Sequence, residues 1–151
     1  MAHVRPRFLI IRFSSMGDVL LTTPVVRCLR KAHSEAEIHY LTKEAFAPLL
    51  HGNPYIDRII TLGPSLTGTI GHLRSMGYTG IIRTDRLPRI HIVQRYLAAA
   101  APFGAVDDGM GTDLFLADAD AVPLPWAVGT PFVAVVIGAQ QATKRMPTEK
   151  L

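Results

Sequence analysis

Short apolar runs separated by helix-length amphipathic segments constrain this chain more than any other feature of its sequence. Phe8-Leu9-Ile10-Ile11 is the first such run, and Arg12 ends it. Residues 19–32 follow as a helix with Leu20, Leu21, Val25, Val26 and Leu29 roughly on one side. Pro24 lies one to two turns in, which predicts an irregular or kinked first turn. Further strands are read at 37–41, 58–62 and 80–83, and further helices at 44–50, 66–76 and 90–101. Gly52-Asn53-Pro54, Gly77, and Pro102 with Gly104 stop those helices. Strands alternating with helices at this spacing predict right-handed βαβ units, a parallel sheet and the α/β class.

Length and composition narrow the function classes. A chain of 151 residues can bury a sizeable core in one domain. Sixteen Lys and Arg against twelve Asp and Glu leave a net charge of +4. That charge is scattered, and its densest stretch, 83–95, is interrupted by apolar residues, so no nucleic-acid partner is expected. The mild basic balance is compatible with a phosphate-bearing ligand or an anionic membrane surface. Cys28 is the one cysteine, which rules out an internal disulfide and fits a reducing compartment. Its helical, apolar context makes it a core residue. Arg12 cuts the first apolar run too short for a signal peptide. The uncharged stretch 121–143 is broken by Pro123, Pro125, Gly129 and Pro131, which excludes a membrane span there.

Residues 119–131 are rich in Pro and Ala and read as a linker. Phe132-Val133-Ala134-Val135-Val136-Ile137 then reads as an apolar strand, and residues 138–145 as a loop. Pro147-Thr148-Glu149-Lys150-Leu151 reads as the first turn of a helix. The expected organisation is a first domain over 1–130 and the opening of a second, truncated one over 131–151. One strand with one helical turn cannot bury its own apolar faces. The last twenty residues are therefore expected to pack onto the first domain or to be poorly ordered.

The chemistry-bearing segment is Arg12-Phe13-Ser14-Ser15-Met16-Gly17-Asp18-Val19. It puts two hydroxyls, a glycine and a carboxylate at the carboxyl end of the first strand, where open α/β sheets bind ligands. A helix starting at about Gly17 or Asp18 would offer free N–H groups, and the glycine would allow close backbone approach. From these residues alone, Asp18 or Ser15 serves equally well as a simple helix N-cap. The segment lacks the G-x-G-x-x-G dinucleotide fingerprint. Asp118-Ala119-Asp120 is a D-x-D in a polar connection, read as a solvated loop. Gly109-Met110-Gly111 is read as a turn. His91, at a helix start, is structural or solvent-facing. The six histidines show no H-E-x-x-H spacing, so no metal site is expected. Ser14 and Ser15 lack the G-x-S-x-G elbow of a hydrolase nucleophile.

The stretch Phe8-Leu9-Ile10-Ile11-Arg12-Phe13-Ser14-Ser15-Met16-Gly17-Asp18-Val19-Leu20-Leu21-Thr22-Thr23-Pro24 resembles the heptosyltransferases of glycosyltransferase family 9. Gly52-Asn53-Pro54-Tyr55-Ile56-Asp57 adds to the resemblance, as does Gly138-Ala139 followed by Thr143-Lys144-Arg145 and Pro147. The resemblance implies the N-terminal, acceptor-side half of a GT-B enzyme, a Rossmann-like parallel sheet with flanking helices. It implies transfer of heptose from ADP-heptose to the lipopolysaccharide inner core, with inversion and without a metal or other cofactor. Asp18 matches the family's catalytic base, and Ser14, Ser15 and Gly17 its acceptor loop. Thr143 and Lys144 match the hydroxyl and cation beside the donor phosphates; by itself Lys144 reads as a solvated lysine beside Arg145. Partners would be ADP-heptose and a lipid A–core lipopolysaccharide. The location would be cytoplasmic, with peripheral contact at the inner face of the inner membrane. The family usually runs several tens of residues between the fourth strand and the next helix. Here Ile81-Ile82-Arg83-Thr84-Asp85-Arg86-Leu87-Pro88-Arg89 leads almost directly into that helix, as an internal deletion would. Two other readings stand beside this one: a non-catalytic remnant that keeps the acceptor-domain fold, and an unrelated Rossmann-like nucleotide-binding domain.

Overall fold

The computed structural model describes residues 5–63, 65–83 and 90–120, together with Pro123 and Pro131. The chain divides into two units, Met1–Asp120 and Ala121–Leu151, and every described helix and strand belongs to the first. The strand expected at 132–137, the helical turn expected at 147–151 and the expected domain boundary at 130 lie outside the described residues. So does the 84–89 connection.

Four strands form one parallel sheet in the order β3-β2-β1-β4: β1 is Arg7–Ile11, β2 Glu37–Thr42, β3 Arg58–Thr61 and β4 Gly80–Arg83. Phe8 lies opposite Ile38 on one side and Gly80 on the other. The two central strands are buried on both faces; β1 accordingly reads as a continuous apolar run, whereas β2 buries His39 and Thr42 among its apolar residues. β3, at an edge, is half exposed.

The expected first helix is two. Helix α1 is Met16–Leu20 and α2 is Thr23–Ala32, with a break at Leu21 and Thr22. Pro24 has no N–H to continue a helical ladder, but it fits the first turn of a new helix. The main core lies between α2, α4 (Ile92–Ala100) and one face of the sheet. Phe8, Ile10, Ile38, Tyr40 and Ile82 meet Val25, Val26, Leu29, Tyr96, Leu97 and Ala100 there, and Cys28 is buried among them. A 3-10 segment at Glu44–Leu50 adds Leu50. The alternate side chains Leu9, Leu41 and Ile81 face a cleft under α3 (Leu66–Ser75). Gly77 closes α3 with φ +62°, a conformation in which a Cβ would be strained.

Candidate functional site

In this strand order the chain leaves β1 toward β2 on one side, while β4 arrives on the other. The crevice outside the carboxyl ends of β1 and β4 is therefore the topological switch point, the usual ligand position in such sheets. The Arg12–Asp18 segment sits there. The N–H of Arg12 extends the ladder to the carbonyl of Leu41 at 3.1 Å, after which the chain turns into α1.

Helix α1 starts at Met16, one to two residues earlier than expected, with Ser15 as its N-cap. Asp18 is the third helical residue, and its Oδ2 accepts the backbone N–H of Ser15 at 3.0 Å. That contact is one half of a capping box, so the structural reading of Asp18 holds. Three more donors converge on the same carboxylate. Arg12 Nη2 is 2.6 Å from Oδ2, the Ser15 hydroxyl is 3.3 Å from Oδ2, and the Tyr96 hydroxyl donates to Oδ1 at 3.0 Å. A cap needs none of these. The Arg12 guanidinium also lies over the Tyr96 ring, 5.2 Å from its centroid.

Burial pushes the Asp18 carboxyl up, but the Ser15 N–H, the Arg12 guanidinium and the Tyr96 hydroxyl together hold it below its ordinary value. It is a carboxylate at neutral pH. Burial, then the bond to Asp18, raises the Tyr96 phenol, which keeps it protonated and donating. The sequence gives a reason for a charged Asp18 in the helix start alone; the structure gives it to an arginine and a tyrosine as well.

Ser14, Ser15 and Gly17 are all exposed around this carboxylate. A Cβ added to Gly17 would meet no atom within 4 Å, so the chain's own packing does not demand glycine there. Phe13 and Ser14 also line one end of the cleft under α3, about 880 Å³ and mostly apolar. Thr143 and Lys144 lie outside the described residues. Asp118 and Asp120 sit in an exposed 3-10 turn where Asp120 accepts the N–H of Ala117. Gly109 and Gly111 form turns at positive φ, and His91 is an exposed residue ahead of α4. Among the described residues no helix is long and apolar enough to cross a membrane.

Two features escaped the sequence reading. Arg12 stood inside the motif but carried no assigned role. Tyr96 carries no mark within the helix read at 90–101, and nothing in the sequence pairs it with a carboxylate 78 residues earlier.

No family model matches the chain. It is 28% identical over 95 residues to the lipopolysaccharide heptosyltransferase 1 of Campylobacter coli, covering 59% of this chain and 28% of that protein. The glycosyl transferase family 9 structure from Veillonella parvula superposes with a TM-score of 0.62 at 20% identity, over 78% of this chain and 47% of that one. The E. coli heptosyltransferase WaaC, solved with ADP, gives 0.54 at 18% identity over 71% and 50%. The chain thus has the α/β fold of family 9 glycosyltransferases of the heptosyltransferase kind. It spans about half the length of those two structures and little more than a quarter of the curated relative.

Proposed function

We propose that this chain is the acceptor-side half of a heptosyltransferase, in which Asp18 is the general base. The observation that carries the reading is the carboxylate itself. It stands at the switch point of a family 9 fold, charged and held by four donors, with 27% of its side chain open to solvent.

Transfer with inversion requires the acceptor hydroxyl to lose its proton as its oxygen bonds to the anomeric carbon and the nucleoside diphosphate departs with the C–O electron pair. A carboxylate held below its usual range is a weak base. It accepts the proton only once the new bond has made the hydroxyl acidic, late along the reaction. Ser14, Ser15 and Gly17 shape the open loop against which an acceptor sugar would lie. The donor would be ADP-heptose and the acceptor a lipid A–core lipopolysaccharide, presented at the cytoplasmic face of the inner membrane. Thr143 and Lys144 would bind the donor diphosphate, a lysine being a suitable point charge for a phosphate. Because the chain spans half or less of the length of its relatives, a binding role for the isolated chain is the alternative reading.

Calorimetric titration with ADP and ADP-heptose separates the two. Binding that disappears in Lys144→Ala assigns the donor loop. No binding to the folded chain makes it an acceptor-side fragment. Transfer to heptose-deficient lipopolysaccharide, where observed, is expected to fall about 10²–10⁴-fold in Asp18→Asn. Undiminished transfer by that variant would remove Asp18 from the mechanism.

A further inference from the structure

The two oxygens of Asp18 are not equivalent. Oδ2 receives Arg12 Nη2 at 2.6 Å, the Ser15 N–H at 3.0 Å and the Ser15 hydroxyl at 3.3 Å. An ionised carboxylate offers about two acceptor directions per oxygen, so Oδ2 is saturated. Among the described residues Oδ1 receives the Tyr96 hydroxyl alone, at 3.0 Å. Among those residues, one acceptor direction on Oδ1 remains unfilled.

Tyr96 is a stiff support for that oxygen. Its side chain is fully buried in the main core, between the sheet and α2, and the Arg12 guanidinium covers its ring. The phenol cannot swing away without emptying a core position. Arg12 therefore grips the carboxylate at one oxygen and packs down the residue that holds the other. The three groups come from the end of β1, the start of α1 and the middle of α4.

Taking Asp18 as the base, we propose that Oδ1 is the oxygen that receives the acceptor proton, and that Tyr96 is the positioning residue that aims it. The acceptor O–H bond breaks and an O–H bond forms at Oδ1. The electron pair left on the acceptor oxygen forms the glycosidic bond. Tyr96 touches neither sugar; it acts by fixing the rotation of the carboxylate, so that the open acceptor direction of Oδ1 is the one presented to the incoming hydroxyl.

Tyr96→Phe tests this, because it keeps the ring and its packing and removes only the donor. The readout is the titration of Asp18 in the isolated chain, followed by the carboxyl signal of ¹³C-labelled aspartate and assigned with Asp18→Asn. Among the described residues, the titratable and charged groups facing Asp18 are Arg12 from the end of β1, Tyr96 from α4 and Tyr40 from β2. Loss of the Tyr96 donor is expected to raise the Asp18 midpoint by about one pH unit. Tyr40→Phe breaks a buried bond to Thr22 instead and should leave that midpoint unmoved. Replacing Tyr96 by 3-fluorotyrosine, a stronger donor of nearly the same shape, should lower it. That substitution keeps the test open if Tyr96→Phe fails to fold. An unchanged midpoint in folded Tyr96→Phe, or no response to fluorotyrosine, overturns the positioning role whatever the chain's activity. In the transfer assay the same variant should lower kcat about tenfold with KM for the acceptor unchanged, and conservative replacement by 3-fluorotyrosine should restore it. A changed KM with unchanged kcat would place Tyr96 in binding and overturn the proposal. Loss of transfer in Asp18→Asn with full transfer in Tyr96→Phe would leave Asp18 as base and remove Tyr96 alone.

Discussion

Arg27 is a charged residue on the buried side of α2, with only 4% of its side chain exposed. It donates twice to Asp108, at 2.7 Å each, once to Asp113 and once to the carbonyl of Gly111 at 2.9 Å. The segment after α4, with its turns at Gly109 and Gly111, is thus clamped onto α2. Lys31 adds a bond to Asp108, and the hydroxyl of Thr23 accepts the N–H of Asp113. Removing the arginine leaves two largely buried carboxylates facing each other, so Arg27→Met should cost about 3–5 kcal/mol in urea unfolding at pH 7. The bond from Arg27, chiefly, drives the Asp108 carboxyl far below its usual range, against the upward push of burial. A depressed carboxyl stabilises the fold fully above its unfolded value, about 3.9 for Asp, and progressively less as pH falls toward the folded value. The urea midpoint should therefore hold, as far as this group governs it, down to about pH 5 and then decline. Asp108→Asn should start lower and decline less, and an equally steep decline in that variant would assign the acid limb to other groups. The clamp was partly legible: a charge among Val25, Val26, Cys28 and Leu29 on a helix needs a partner. Its partners, some eighty residues later, were not.

At the scale of elements, β4 meets the rest of the fold through a glycine. A Cβ built on Gly80 would come within 2.6 and 2.8 Å of the Phe103 ring and 3.0 Å of Phe8. Phe103 belongs to the 3-10 turn Ala101–Phe103 that ends α4, and its ring packs edge-on against Phe8 with centroids 5.5 Å apart. Its carbonyl is further tied to the ring of His33 at 2.8 Å. The ring has little room to yield, so Gly80→Ala should destabilise by about 1–3 kcal/mol. The paired change Gly80→Ala with Phe103→Leu should cost less than the sum of the two single changes. Strict additivity in denaturant titrations would show that the ring moves aside freely. Element positions were the most readable part of the chain, since each strand and helix carries its own period. The split of the first helix was signalled by Pro24. The exact start of α1 was not, because Ser15, Gly17 and Asp18 are all acceptable at a helix entrance.

For the sheet as a whole, the described residues cover its two faces unequally. One carries α2, α4 and the segment Glu44–Leu50; across the other runs α3, none of whose described side chains is fully buried. The cleft beneath α3 and the exposure of Ile70 and Ile81 follow from that imbalance. Hydrogen exchange should read it directly. Amides of β1, β2 and α2 should exchange only through global unfolding, and those of α3 through a local opening of much lower free energy. Equal protection in α3 and α2 would contradict the lopsided packing. The imbalance could not be foreseen, because the apolar residues of α3 show only that the helix has a face, not how much of the sheet it covers.

The sequence by itself determined the order of the described elements, the type of most of them, the parallel sheet and the position of the Arg12–Asp18 loop at a strand's carboxyl end. These depend on local periods, on proline and glycine, and on the handedness of βαβ connections, all of which are written within a few tens of residues. Only the tertiary structure decided how Asp18 is held. Its partners Arg12 and Tyr96 reach it from two different elements, and no local period encodes which hydroxyl will end beside which carboxylate. The same holds for Arg27 with Asp108 and Asp113. Long-range polar contacts are fixed by how packed helices place the ends of their side chains, and that placement exists only once the core has formed.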